Sequence, residues 1–127
     1  MTDEQQLQGA VQKLGIGNYD RHVFLCGGPR CCTEEIGQEA WETLKNEVKA
    51  RFPLAGPHGC YRTKAACLRI CCEGPTMVVY PEGTWYHGMT AERIPRLVQE
   101  HLVEGRPVQE WIFATNPLPV DGPHEAQ

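Results

Sequence analysis

The stretch "HVFLCGGPRCC", residues 22–32, joins a short apolar run to a turn, and it holds three of the chain's seven cysteines. The run "HVFLC" has the length and composition of a buried strand, and Gly27, Gly28 and Pro29 interrupt it. A cysteine that serves only as a small apolar side chain needs neither this crowding nor these turn residues. The stretch therefore predicts a strand that ends at a functional loop.

The clearest helix of the sequence follows this loop. Thr33 is a suitable N-cap, and Glu34 and Glu35 complement the positive end of a helix dipole. Apolar side chains then recur every four residues, as on one face of a helix: they are Ile36, Ala40, Leu44 and Val48, with Trp41 beside them. Prolines and glycines between residues 53 and 59 end this element.

Further short elements are predicted downstream. Residues 60–66 indicate a second strand, and the segments 76–80 and 84–88 flank the turn "PEG" and indicate a hairpin. Apolar positions over 94–102 predict a second helix, which Gly105 and Pro107 end. The segment 108–113 adds an edge strand or a packing arm.

The predicted order is β-α-β-β-β-α, after an N-terminal extension over residues 1–21 that carries a helix over 3–14. This order is the thioredoxin-like arrangement, an α/β (α+β) fold with a central mixed sheet, because a right-handed crossover makes the first two strands parallel. The sequence predicts one such domain over residues 22–113, and a mobile C-terminal tail over 114–127.

Composition and charge exclude several function classes. The net charge of -4 gives no basic field for a phosphate backbone, so a nucleic-acid partner is not expected. No apolar run approaches the roughly 20 residues of a membrane span, and the N-terminus lacks the features of a signal peptide. We therefore expect a cytoplasmic protein. In this reducing compartment an odd number of cysteines argues against a disulfide framework, and clustered cysteines indicate metal binding or redox chemistry.

A second cluster of thiols, "CLRICCEGP", occupies residues 67–75. The two clusters contain the spaced pairs Cys26-x4-Cys31 and Cys67-x3-Cys71, in loops that also hold glycine and proline. Glycines let backbone N–H groups approach sulfur closely, and thiolates from two loops can complete a four-ligand shell. Adjacent side chains of an extended segment point apart, so one cysteine of each neighbouring pair, 31–32 and 71–72, should not be a ligand.

The combined pattern resembles the thioredoxin-like 2Fe-2S ferredoxins, a module that also forms the small iron-sulfur subunit of NADH:quinone oxidoreductases and of some hydrogenases. The resemblance rests on "HVFLC", the two cysteine pairs, the "VVYPEGTWY" hairpin after "GP", and "EHLVEGRPVQEWIF". It implies a 2Fe-2S cluster whose iron ligands are Cys26, Cys31, Cys67 and Cys71, with Cys32 as an alternative to Cys31. It also implies protein redox partners, a reductase and an acceptor oxidoreductase, and a homodimer in the free-standing members.

Two further cysteines and several other residues have plainer interpretations. We expect Cys60 and Cys72 to have no role in the site. Arg69 belongs either to a solvated basic edge or to the surroundings of the cluster, where it offsets negative charge. His101 is expected on the surface or on a helix face, and Pro75 stands before a strand, where thioredoxin-like folds often carry a cis-proline.

Four functions fit the cysteine pattern. The first is a one-electron carrier without catalytic residues of its own, and the second is an accessory subunit that relays electrons inside a larger NAD(P)- or hydrogen-linked oxidoreductase. A structural zinc domain with four cysteine ligands also accepts ligand pairs with such spacing. A thiol–disulfide oxidoreductase is the least favoured, because its Cys-x-x-Cys motif is tighter than the Cys26–Cys31 gap.

Overall fold

The computed structural model of the chain describes residues 2–53 and 56–119. The predicted tail over 114–127 therefore lies partly outside the described residues, which end at residue 119. Among the helices of the described ranges, none has both the length and the apolar character that crossing a membrane would require.

Five strands form one mixed sheet in the order β2-β1-β3-β4-β5. Their bounds are β1 Tyr19–Cys26, β2 Gly59–Ala65, β3 Thr76–Tyr80, β4 Thr84–Tyr86 and β5 Ile112–Thr115. β1 and β2 are parallel, and the other neighbouring pairs are antiparallel. The predicted mixed sheet and the β3–β4 hairpin are confirmed.

The sheet extends beyond the predicted domain at both ends. β1 begins at Tyr19, and the edge strand β5 continues to Thr115, so the pairing starts before residue 22 and ends after residue 113. The sequence interpretation of 108–113 left open an edge strand or a packing arm, and the structure has the edge strand, antiparallel to β4.

Helices begin where the sequence provides caps. α2 spans Glu34–Arg51, and the Thr33 hydroxyl accepts a hydrogen bond from the Ile36 N–H at 3.2 Å. α1 spans Asp3–Leu14, after a capping box at Thr2, and it buries none of its residues. α3 covers Ile94–Leu97 and continues as a π-helical segment, Val98–Val103.

The core fills one side of the sheet. It is a single cluster to which the strands contribute Val23, Leu25, Met77, Val79 and Tyr86, and the helices contribute Ala40, Leu44, Val48, Ile94, Leu97, Val98 and Leu102. Burial of each larger apolar side chain stabilises the fold by about 1.5–3 kcal/mol.

Ile36 was predicted on the buried face of α2, but 41 % of its surface is exposed. Gly37 is buried instead, because the first turn of α2 meets the backbone of the preceding loop at this point. A Cβ atom on Gly37 would clash with the Gly27 carbonyl oxygen. The helix is thus turned so that glycine, and not isoleucine, faces the loop.

His101 was expected on the surface or on a helix face; it lies on the helical segment Val98–Val103, and its side chain is completely buried rather than at the surface. The Tyr86 hydroxyl accepts from the Val108 N–H at 3.0 Å and lies 2.7 Å from His101 Nδ1. The second ring nitrogen of His101 lies 3.3 Å from a carboxylate oxygen of Glu82. Burial lowers the pKa of His101, although Glu82 opposes this shift. The imidazole is therefore a neutral part of the core.

The parallel pairing of β1 and β2 determines where the cysteines meet. The last residues of the two strands, Cys26 and Ala65, are partners in the ladder. Because both strands end at the same edge of the sheet, the loops that follow them, residues 27–33 and 66–75, begin side by side. These are the two loops that carry the spaced cysteine pairs.

Candidate metal centre

The first cysteine pair is buried and close together. Cys26 is the last residue of β1 and is 3 % exposed, while Cys31, in the loop before α2, is 7 % exposed. Their sulfur atoms are 3.3 Å apart, and the Cys31 thiol donates to the Cys26 carbonyl oxygen at 3.4 Å. Two sulfurs at this separation can bind one metal ion together.

Two glycines bring the backbone close to this pair. Gly28 has a φ of +92°, a conformation that favours glycine, and a Cβ atom there would lie 2.6 Å from the Cys32 carbonyl oxygen. The Gly74 N–H donates to the Cys31 carbonyl oxygen at 2.9 Å. A Cβ atom on Gly74 would lie 2.7 Å from the Cys31 sulfur. Gly28 thus allows the first loop to fold back on itself, and Gly74 allows the second loop to touch the first at Cys31.

Backbone groups from both loops bind the Cys26 sulfur. Burial raises the pKa of Cys26, but hydrogen bonds from the backbone of Gly28, the Cys31 thiol and the backbone of Leu68 outweigh it, so the pKa lies below that of a free cysteine. Gly28 belongs to the first loop and Leu68 to the second. The two loops therefore converge on one sulfur and favour its thiolate, the form that binds metal.

The second pair, Cys67 and Cys71, lies on the exposed side of the same region. The Arg69 N–H points toward the Cys67 sulfur at a distance of 3.2 Å. Arg69 adopts a φ of +69°, which is uncommon for a residue other than glycine. In this conformation the backbone N–H of Arg69 faces a thiol. The sequence analysis had expected such backbone donors near sulfur, but at the glycines of the loops.

One pocket of about 330 Å³ brings the four predicted ligands together. Its lining includes Cys26, Cys31, Cys67 and Cys71. In the described part of the chain, no three His, Cys, Asp or Glu side chains gather around one point as a mononuclear metal site requires. A core of two irons and two sulfides requires two cysteine ligands for each iron. The four cysteines in the lining of this pocket match that number.

The other three cysteines lie outside this pocket lining. The argument that separated Cys31 from Cys32 assumed an extended segment, and this assumption is wrong, since residues 29–32 bend and the two sulfurs are 3.8 Å apart. Cys60 is buried in β2, where burial raises the pKa of its thiol to about 12. Cys72 is exposed beside Cys71.

Charged side chains flank the site on two sides. Arg30 and Arg69 line an outer pocket of about 410 Å³ together with Cys67 and Cys71. Lys64 lies in a larger groove of about 1010 Å³ beside α2, whose lining also includes four glutamates: Glu34, Glu35, Glu39 and Glu42. The sequence interpretation had considered Arg69 and had missed Arg30, although Arg30 directly precedes a predicted ligand.

Known proteins with similar sequences are described as 2Fe-2S ferredoxins. A protein of Priestia megaterium that is predicted to be a 2Fe-2S ferredoxin is 33 % identical over 104 residues, which cover 82 % of this chain and 78 % of that protein. A 2Fe-2S ferredoxin of Clostridium pasteurianum is 32 % identical over 99 residues, 72 % of this chain and 94 % of the relative. No model of a protein family matches the sequence.

A solved structure agrees with these relatives. The thioredoxin-like [2Fe-2S] ferredoxin of Aquifex aeolicus superimposes with a TM-score of 0.66 at 27 % identity, over 78 % of this chain and 94 % of that one. Two further matching structures are single cysteine-to-serine variants of the Aquifex protein, and the two substituted cysteines are four positions apart in its sequence.

Proposed function

The chain belongs to the thioredoxin-like 2Fe-2S ferredoxins, and on this premise we propose that it carries single electrons on a 2Fe-2S cluster held by Cys26, Cys31, Cys67 and Cys71. The observation that carries the ligand assignment is the shared pocket of these four cysteines. The separation of Cys67 and Cys71 is also that of the two cysteines substituted in the Aquifex variants.

The cluster, when bound, accepts and releases one electron at a time. The buried pair, Cys26 and Cys31, would hold the cluster from a region from which water is largely excluded. The backbone of Gly28, Leu68 and Arg69 directs hydrogen bonds to the sulfurs of Cys26 and Cys67, which stabilises negative charge. The exposed pair, Cys67 and Cys71, provides the side on which a partner protein can approach.

We expect protein purified without oxygen to contain equal amounts of iron and acid-labile sulfide, two of each per chain. The oxidised protein should be silent in electron paramagnetic resonance, and one-electron reduction should produce the signal of one unpaired electron per chain. Chemical analysis and a spectrum of the reduced sample measure both quantities. A colourless protein that contains one zinc ion would contradict the proposal and would favour the structural zinc domain with four cysteine ligands.

The redox partners approach next to the exposed cysteines in this proposal. The groove beside α2 shares Gly28 and Pro29 with the lining of the cluster pocket, and its four glutamates suit a basic docking face on a reductase or an acceptor oxidoreductase. An accessory subunit of a larger oxidoreductase would bury the same region permanently. Stable co-purification with a flavoprotein would favour the subunit over the free carrier.

We also place the protein in the cytoplasm, as a carrier that catalyses no chemistry by itself. The seven cysteines are free thiols in the structure, which suits a reducing compartment. The absence of a catalytic role follows from the role of the family, since a ferredoxin supplies binding and tuning of its cluster while its partners carry out the chemistry.

A homodimer is the assembly that the family resemblance implies, and one face of the sheet offers a surface for it. The rings of His22 and Phe24 stack there at 4.1 Å, and Tyr80 meets Phe24 edge-on. On the same face, Trp85 packs beside Phe113, which is 42 % exposed. Aromatic side chains of this kind are enriched at protein interfaces.

Phe113→Ser is expected to weaken this dimer, because it removes an exposed aromatic ring from the proposed interface. Ile36→Ser is the matched control, since Ile36 is 41 % exposed but lies on α2, on the core side of the sheet. Sedimentation velocity over a range of protein concentrations measures the mass of each protein. A monomeric unmodified protein, or an equal effect of both substitutions, would contradict this assembly.

A further inference from the structure

Thr76 lies opposite Cys26 at the end of the sheet that carries the cluster site. It is the first residue of β3, and it is the partner of Cys26 in the antiparallel ladder. Residues that oppose each other in a ladder project to the same face, with Cβ atoms about 4.5–5.5 Å apart. The side chains of Thr76 and Cys26 are therefore neighbours on one face of the sheet.

The hydroxyl of Thr76 is buried without a hydrogen-bond partner among the described residues. The residue is completely inaccessible to solvent, and its Oγ1 atom makes no hydrogen bond. A buried hydroxyl in this condition destabilises the fold, because no hydrogen bond compensates for its removal from water. Valine would fill the same position of a strand without that cost, so the polar group calls for an explanation.

The other unpartnered buried atoms of the described residues lie elsewhere. They belong to Arg62, Glu82 and His101. His101 Nε2 and Glu82 Oε2 are 3.3 Å apart, so the buried ring of His101 faces the partly exposed carboxylate of Glu82. Thr76 alone among the four lies opposite a proposed cluster ligand.

The Cys26 sulfur becomes a suitable hydrogen-bond acceptor for the Thr76 hydroxyl once the cluster is bound. A metal-bound thiolate is a charged acceptor, and the Cys26 sulfur already accepts from the backbone of Gly28 and Leu68. The threonine side chain reaches different acceptors by rotation between staggered χ1 positions. Gly74, two residues before Thr76, fixes the loop that contacts the other buried cysteine, Cys31.

We propose that the Thr76 hydroxyl donates a hydrogen bond to the Cys26 sulfur in the cluster-bound protein and thereby raises the reduction potential. This inference rests on the proposed function, which makes Cys26 a ligand. A cluster that gains an electron gains negative charge, so a hydrogen bond to a ligand sulfur is stronger in the reduced state. The hydrogen bond from Thr76 would thus stabilise the reduced cluster more than the oxidised one.

The test compares Thr76→Val, which keeps the shape and removes the hydroxyl, with Thr76→Ser, which restores a hydroxyl. We expect Thr76→Val to bind the full amount of iron and sulfide, and to lower the equilibrium constant for one-electron reduction by about threefold to tenfold, because only the difference in the strength of this hydrogen bond between the oxidised and the reduced state enters that constant. Thr76→Ser should recover most of this change. The iron–sulfur stretching bands in resonance Raman spectra should shift in Thr76→Val alone.

A second readout uses the cluster-free chain. Because the hydroxyl has no partner there, Thr76→Val should unfold at a denaturant concentration equal to or above that of the unmodified chain. Thr63→Val is the control, since the Thr63 hydroxyl lies 2.8 Å from His22 Nε2 on the same face. It should reduce stability and leave the potential unchanged.

The outcomes separate the two proposals. An unchanged potential with unchanged Raman bands in Thr76→Val, or a less stable cluster-free Thr76→Val, would overturn the role of Thr76. If Thr76→Val folds but does not retain its cluster, Thr76→Ala replaces it with the same expectations for potential and Raman bands. Absence of iron and sulfide from the unmodified protein would instead overturn the proposed function.

Discussion

Replacement of any one proposed ligand by alanine, at Cys26, Cys31, Cys67 or Cys71, is expected to leave the purified protein almost without iron and sulfide. Each of these side chains supplies one of the four iron–thiolate bonds, and alanine offers no atom that replaces it. Loss of groups that merely orient metal ligands already lowers metal affinity about 10–100-fold. We therefore expect the iron content to fall by at least about tenfold, as measured by chemical analysis after anaerobic purification.

Neighbouring cysteines provide controls for this prediction. Cys32→Ala and Cys72→Ala alter residues adjacent to proposed ligands, and neither residue lines the pocket that holds the four. Cys60→Ala removes a buried thiol from β2. All three variants should retain the cluster, although Cys60→Ala should lose stability because it leaves a small cavity.

The pair Cys31 and Cys32 gives the most informative comparison, because their sulfurs are only 3.8 Å apart. Retention of the cluster in Cys31→Ala together with its loss in Cys32→Ala would move the second ligand to Cys32. Retention in Cys67→Ala or Cys71→Ala would refute the assignment of the exposed pair.

Local patterns predicted most of the architecture. The run "HVFLC", the cap at Thr33 and the "PEG" turn each depend on a few neighbouring residues, and the strand, helix and hairpin they indicate are present. The convergence of the two cysteine loops followed from the parallel pairing of β1 and β2, which the predicted crossover helix implied. The sequence had predicted this meeting from the two cysteine pairs as parts of one four-ligand shell, and the parallel pairing gives its structural reason.

Features that depend on contacts between distant segments were not predictable in this way. Ile36 has the right spacing for the buried face of α2, but the meeting of Gly27 and Gly37 decides which side of the first turn is covered. His101 is buried because Tyr86 supplies a hydrogen-bonding hydroxyl from another element. The unpartnered hydroxyl of Thr76 is likewise visible only once the register of β1 and β3 is known.

Gly74→Ala is expected to displace Cys31 and to prevent stable binding of the cluster. A Cβ atom at this position would lie 2.5 Å from the Cys31 Cβ atom and 2.8 Å from its carbonyl oxygen, so one of the two loops must move. Overpacking of this kind costs about 1–3 kcal/mol. The free energy of unfolding of the cluster-free variant should therefore be about 2 kcal/mol lower. The iron content of the variant after anaerobic purification should fall roughly tenfold, since metal affinity depends on the placement of the ligands.

Gly9→Ala is the matched control, because Gly9 lies in α1 and no atom stands within 4 Å of the Cβ position. The same substitution there should keep the full iron content and leave stability equal or slightly higher, since alanine favours a helix. Urea unfolding of the cluster-free chains and iron analysis of the loaded ones measure the two effects separately. A Gly74→Ala protein that loses stability but keeps its iron would contradict this prediction. The contact between residue 74 and Cys31 would then lower the free energy of unfolding without affecting the metal, so Cys31 would not need its present position to bind the cluster.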